Sequence, residues 1–209
     1  MRPAPARRAR PRGRGRAGVI GLFGGSFDPI HHGHLIVARV AAETLGLRQV
    51  RFVPARQQPF KVGRHGAGAA DRAAMVEAAI GGEPGFALER AELERDGTSY
   101  TVETLRLLRA REPGSDFALL IGADAAADFP AWREADAVAA LARVVVFGRA
   151  GAEPVSLPEM WRAIDVPALE ISATAIRRRV RAGLPIRYWV PDAVADYVAT
   201  HGLYLDGEG

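Results

Sequence analysis

The 209-residue chain contains no cysteine, which excludes disulfides, thiolate metal centres and a cysteine nucleophile. No apolar run approaches the ~18 residues that a membrane-spanning helix needs. Lysine is nearly missing too: Lys61 is the only one, and arginine carries the remaining positive charge. The first 17 residues have no acid but hold seven arginines, so the formal net charge of +4 misdescribes the rest of the chain. Beyond residue 17, 21 basic side chains face 24 acidic ones, a balance of −3. An Arg/Pro/Ala/Gly segment without apolar periodicity buries too little surface to offset its ordering entropy, so residues 1–17 are expected to be a disordered tail. The tail lacks the apolar stretch of a secretory signal and the serine of a transit peptide. It could be passive, or it could meet nucleic acid or a membrane surface through its charge. Without interleaved aromatics, and beside a net acidic remainder, it does not make a phosphate-backbone surface. The expectation is a cytoplasmic protein with neither a nucleic-acid nor a membrane partner.

What is present is ordinary globular composition with a regular alternation of patterns. Apolar runs at Val19–Phe23, Val50–Val53, Phe86–Leu88, Phe117–Ile121 and Val144–Phe147 read as strands. Between and after them, helical patterns cover Leu35–Leu45, Asp71–Ile80, Thr101–Arg111, Asp136–Leu141, Thr174–Ala182 and Asp192–His201. Continuous apolar strands separated by helices imply a parallel sheet covered on both faces. The fold class is therefore α/β: a single doubly wound, Rossmann-like domain over residues 18–209. In such sheets, ligands sit at the carboxyl ends of the strands. Residues 24–34, 54–61 and 122–133 fall there.

The first of these segments reads Gly24-Gly25-Ser26-Phe27-Asp28-Pro29-Ile30-His31-His32-Gly33-His34. It joins a strand to a helix through small residues, with two histidines three apart at the helix mouth. Backbone N–H groups and the helix dipole at such a junction hold phosphate, and imidazoles can reach the same anion. Neither the dinucleotide fingerprint nor the P-loop is present, since no lysine follows. Imidazole donors suit the charge that develops in phosphoryl transfer. A transition-metal cluster of His31, His32 and His34, and histidines that merely end a helix, remain alternative readings of the same residues.

A second constellation is Ile171-Ser172-Ala173-Thr174-Ala175-Ile176-Arg177-Arg178-Arg179. Ser172 or Thr174 would cap the helix, and Ile176 with Val180 supplies its apolar face. Three arginines in the first turns stand at the positive end of the dipole, where cations are disfavoured. A bound polyphosphate is the simplest compensation, with Arg177 leaning back toward the free N–H groups. Arg178 and Arg179 read as a solvated basic face.

Gly25-x-Phe27-Asp28-Pro29-x-His31-x-Gly33-His34 together with Ile171-Ser172-x-Thr174-x-Ile176-Arg177 resembles the paired (T/H)xGH and ISxTxxR motifs of the nucleotidyltransferase superfamily. Within it, Ser99-Tyr100-Thr101-Val102-Glu103-Thr104-Leu105, Ile121-Gly122-Ala123-Asp124 and Phe129-Pro130-Ala131-Trp132 are similar to the bacterial nicotinate mononucleotide adenylyltransferase family. The similarity spans about residues 18–205. The resemblance implies adenylyl transfer from ATP to nicotinate mononucleotide, giving deamido-NAD and pyrophosphate, with Mg²⁺ carried by ATP and no metal held by protein side chains. It also implies roles by position. His31, His34 and Arg177 would be catalytic. ATP would be bound by Gly24, Gly25, Ser26, Phe27, His31, His34, Gly122, Asp124, Ile171, Ser172, Thr174 and Arg177. The mononucleotide would meet Lys61, Tyr100, Thr101 and Trp132, with the indole stacked on the pyridine ring. One departure stands out: Gln58-Pro59-Phe60-Lys61 replaces the family's Pro-Pro-His-Lys, so Phe60 stands where an imidazole is usual. A sibling transferase acting on nicotinamide mononucleotide or phosphopantetheine, and a non-catalytic nucleotide sensor, are the competing expectations.

Overall fold

The computed structural model describes residues 18–57, 66–149 and 157–205. The expected disorder of 1–17 and the roles expected of Phe60 and Lys61 lie outside these residues. Six strands form one sheet: β1 (Ile20–Gly25), β2 (Gln49–Pro54), β3 (Phe86–Leu88), β4 (Phe117–Gly122), β5 (Arg143–Arg149) and β6 (Arg162–Val166). Their order is β3-β2-β1-β4-β5-β6, and every pairing is parallel. The chain thus winds outward from β1 in one direction and from β4 in the other, leaving a switch point between them. Crossover connections that diverge there open a crevice at the carboxyl ends of these two strands.

Helices cover both faces, as the continuous apolar strands require. On one side α1 (His32–Leu45), α2 (Ala69–Ile80), α6 (Ala173–Arg181) and α7 (Asp192–Thr200) pack against Phe23, Val50, Phe52 and Leu120. On the other, α3 (Thr101–Arg111), α4 (Ala123–Ala127) and α5 (Ala135–Leu141) cover Ile20, Leu22, Leu119 and Ile121. Neighbouring residues of one strand therefore bury on opposite faces, and full burial of each such side chain stabilises by about 1.5–3 kcal/mol.

Three boundaries differ from the sequence pattern. Helix α1 starts at His32 rather than Leu35, which puts His34 inside its first turn. Helix α2 is capped by Gly68, not Asp71. Strand β6 has no counterpart in the pattern, because at the sheet edge only Ile164 and Val166 are buried and its other residues face outward. Among the described residues, no helix is long and apolar enough to cross a membrane.

Candidate active site

The loop from β1 to α1 wraps tightly around its own side chains. A Cβ on Gly25 would lie 2.9 Å from the buried Phe27 ring, which leaves no room for it, and one on Gly33 would lie 3.0 Å from His31 Nδ1, a tight contact to which the imidazole would have to yield. Gly24 is different: it is exposed, and nothing stands within 4 Å of the Cβ it lacks, so it opens the site instead of closing the turn. Phe27 has a left-handed backbone (φ 50°), uncommon for a bulky residue, and its ring is buried. That ring meets His34 edge-on at 5.1 Å, with Phe23 beside it at 6.0 Å. Phe27, expected to touch ATP, is buried as a whole residue, and its side chain braces His34.

The two imidazoles are stacked, with centroids 3.7 Å apart. His31 donates its backbone N–H to His34 Nδ1 at 3.2 Å. That bond makes Nδ1 the acceptor, so the ring proton of neutral His34 sits on Nε2 as a donor. Burial, reinforced by the charge of His32, lowers the His31 pKa to about 4. Burial and then His31 lower that of His34 as well. At neutral pH the pair is uncharged, and an approaching polyphosphate would draw both rings back toward the protonated form.

Helix α6 reaches this loop from the far end of the chain. Ser172 is its cap: the hydroxyl oxygen accepts the Ala175 N–H at 3.2 Å. The half-buried Arg177 donates from Nη1 to the Asp28 carbonyl at 2.8 Å and from Nη2 to Thr174 Oγ1 at 3.3 Å. The Asp28 carboxylate lies 3.8 Å from the same guanidinium. Part of the compensation expected from a bound polyphosphate is thus internal. Arg179 is not simply solvated either: it donates to the Pro185 carbonyl and lies over the Trp189 ring at 4.9 Å. Its contact orders the segment whose Trp189 carbonyl accepts the His32 N–H at the start of α1.

Asp28 joins several strands of this arrangement. It is buried, and its carboxylate accepts the backbone N–H of Gly66 and Ala67, at 2.7 and 3.1 Å, and the Tyr204 hydroxyl at 2.8 Å. Burial first, then the nearby Asp28 charge, pushes the Tyr204 phenol far above its ordinary range. Behind it, the buried Arg72 donates to the Ser26 and Arg56 carbonyls. Asp28 stood in the expected motif without a role. Arg72 and Tyr204 carried no local signal, because the loop residues they hold, Ser26 and Asp28, lie 46 and 176 positions away.

Beside the phosphate loop, a cavity of about 750 Å³ opens along the ends of β1 and β4. Gly24, Gly25, Gly122 and Asp124 of the expected ATP residues and Tyr100, Thr101 and Trp132 of the expected mononucleotide residues line it, whereas His31, His34, Ser172, Thr174 and Arg177 are not part of its lining. Trp132 is half-buried at the end of a short 3₁₀ turn (Phe129–Ala131), braced by Phe129 at 5.1 Å. Glu92, missed in the sequence because its charged surroundings read as solvated loop, is a buried part of the same wall. Burial raises its carboxyl pKa against hydrogen bonds from Thr104 and Ser99 and the charge of Arg95. Ser99 in turn accepts the Arg56 N–H and donates its own N–H to the Gln57 carbonyl, tying the start of α3 to the loop after β2. Ile171, half-buried, packs against the core beneath the His31 loop. Among the described residues, no group of three His, Asp or Glu is placed to hold a metal ion.

A doubly wound sheet with paired imidazoles on the β1–α1 loop, an arginine from a distant helix and an adjoining cavity defines a nucleotidyltransferase class of site. Residues 22–179 match the family model described as cytidylyltransferase-like. Two bacterial relatives named probable nicotinate-nucleotide adenylyltransferase, from Roseiflexus sp. (strain RS-1) and Thermus thermophilus, are each 44% identical and match 88% of this chain and 97% and 98% of their own lengths. The chain belongs to the nicotinate-nucleotide adenylyltransferase family. Its fold is shared by a Plasmodium falciparum nicotinic acid mononucleotide adenylyltransferase solved with NaAD (TM-score 0.71, 19% identity, 90% of this chain and 97% of that one).

Proposed function

We propose that the protein transfers the adenylyl group of ATP to nicotinate mononucleotide, releasing pyrophosphate and forming deamido-NAD for NAD biosynthesis in the cytoplasm. The observation that supports this reading is that the cavity lined by Tyr100, Asp124 and Trp132 reaches Gly24 and Gly25, the start of the loop that carries His31 and His34, at the β1/β4 switch point. The 5′-phosphate oxygen of the mononucleotide attacks the α-phosphorus of ATP. The bond from that phosphorus to the β-phosphate's bridging oxygen breaks, and pyrophosphate leaves. No group on the protein becomes covalently modified.

Catalysis then rests on alignment and on donors aimed at developing charge. His34 donates from Nε2 to the α-phosphate, and His31 stands beside it over the same chain of phosphates. Arg177, aimed by Asp28 and Thr174, holds the β/γ end with the amino terminus of α6. Gly24 and Ser26 let the nucleotide approach the backbone. Asp124 accepts ribose hydroxyls at the end of β4. Trp132 stacks on the electron-poor pyridine ring, with Tyr100 and Thr101 opposite it. Lys61, known only from its place in the sequence, is assigned to the mononucleotide phosphate. Mg²⁺, brought as part of the MgATP substrate, would neutralise phosphate charge there.

Pyrophosphate release with MgATP, compared for nicotinate mononucleotide, nicotinamide mononucleotide and phosphopantetheine at matched concentrations, tests the assignment. Strong preference for the nicotinate acceptor is expected. Turnover of phosphopantetheine alone would overturn the acceptor, and no release from folded protein would favour a nucleotide sensor.

A further inference from the structure

The charge pattern of the Trp132 cavity points to a residue that selects the acceptor. Its described lining carries three carboxylates, Glu92, Asp124 and Asp128, and one cation, Arg133. Arg133 directly follows Trp132. Its guanidinium lies over the Tyr100 ring, 4.6 Å from the centroid, and Nη1 stands 3.1 Å from Glu103 Oε1. The other Glu103 oxygen faces Arg95 Nη1 at 3.7 Å. One carboxylate is thus shared by two guanidinium groups, so Glu103 only partly offsets the charge of Arg133. Arg95 is also bound to Thr104, which donates to the buried Glu92, so it is committed to the wall. Arg133 is freer, with its side chain about half exposed (52%).

We propose that Arg133 is a specificity-determining residue that favours an acceptor ring bearing a carboxylate over one bearing a neutral amide. This rests on the adenylyl-transfer reading above, in which the pyridine ring lies between Trp132 and Tyr100. A carboxylate on a ring in that position would share the Arg133 guanidinium with Glu103, which Arg95 already holds in part. An amide gains no such attraction, and the aromatic contact with Tyr100 holds the cation in place for either. Because the guanidinium is half exposed, water screens it, and the preference it supplies is modest and salt-sensitive.

The test is kcat/KM for nicotinate and nicotinamide mononucleotides with saturating MgATP, in the wild-type protein and in Arg133→Gln, Arg133→Lys and Glu103→Gln. Arg133→Gln is expected to lower the nicotinate-to-nicotinamide ratio about fivefold, through the KM for the nicotinate form. Its KM for ATP should stay unchanged. Arg133→Lys should restore most of the ratio, and Glu103→Gln, which releases the guanidinium, should raise it. Added salt should shrink the wild-type ratio and leave that of Arg133→Gln flat. An unchanged ratio in Arg133→Gln, or an equal loss for both acceptors, would overturn the role of Arg133 while sparing the reaction. Wild-type protein that used neither mononucleotide would instead overturn the acceptor reading, and this role with it.

Discussion

The two ends of the site are built on different principles. The phosphate end is dense and short-range: eleven consecutive residues (24–34) supply the glycines, both imidazoles and Asp28, and one distant arginine completes it. Its two imidazoles are stacked, and its side chains are hydrogen-bonded to one another and to the backbone. The acceptor end is open, and its walls come from the ends of β1 and β4, the start of α3 and the 3₁₀ turn. Chemistry that needs donors at fixed positions is placed where the backbone leaves little freedom. Recognition of one ring is left to a roomier cavity whose side chains can differ without disturbing the transfer. Substitutions at the first end should therefore change rate and stability. Those at the second should change acceptor binding.

The largest separation is expected from His34→Ala. Losing one donor at the reacting phosphate should lower kcat by about 10²–10³-fold while both KM values move little. Near-normal turnover by a folded variant would break the assignment. Asp28→Asn should come next, because it leaves Arg177 and Arg72 beside an uncharged partner. We expect a loss of about 3 kcal/mol in urea unfolding and a higher KM for ATP but not for the mononucleotide. An increase confined to the mononucleotide would erase the distinction between the two ends.

The depressed pKa of His31, about 4, gives a pH signature. As pH falls below 6.5 the unfolded chain takes up this proton first, so the stability it reflects is present above 6.5 and is lost on the way down to 4. Between pH 7 and 5 the loss is about 2 kcal/mol. His31→Asn should remove that part of the slope, as read from urea midpoints at the two pH values. A smaller effect is expected of Trp132→Ala: a rise of about tenfold in the KM for the mononucleotide, from lost stacking. An effect on ATP alone would count against the stacked ring. Deleting residues 1–17 should change adenylyl transfer least, within error of the full chain, and a large loss would give the tail a part in the reaction.

The same contrast explains what could be read without coordinates. The strands β1, β4 and β5 are apolar on both faces, so their runs stand out, and β2 shows as Val50, Phe52 and Val53 around a paired Arg51. The edge strand β6 is half exposed and shows no such run. Local motifs made His31, His34, Ser172 and Arg177 candidates because each lies where a strand or loop meets a helix, Ser172 as an ordinary cap and Arg177 as a cation at the disfavoured end. Glu92, Arg133 and Tyr204 were not legible. Glu92 and Arg133 sit in charged stretches that resemble solvent-facing sequence, and Tyr204 acquires its meaning from Asp28, 176 positions away. Even Arg177 was only half understood: its place was evident, but the carboxylate that offsets its charge was visible only once the chain had folded.

In the proposed reaction the mononucleotide displaces pyrophosphate directly at the α-phosphorus, with ATP held at one end of the site and the acceptor presented from the other. The measurement that tests it most directly uses ATP radiolabelled at the α-phosphate, mixed with the protein and nicotinate mononucleotide and quenched in acid. All transferred label is predicted in the dinucleotide, with unlabelled pyrophosphate formed in equal amount and none retained on protein. Label covalently bound to the chain, or transfer of the γ-phosphate instead, would contradict the account.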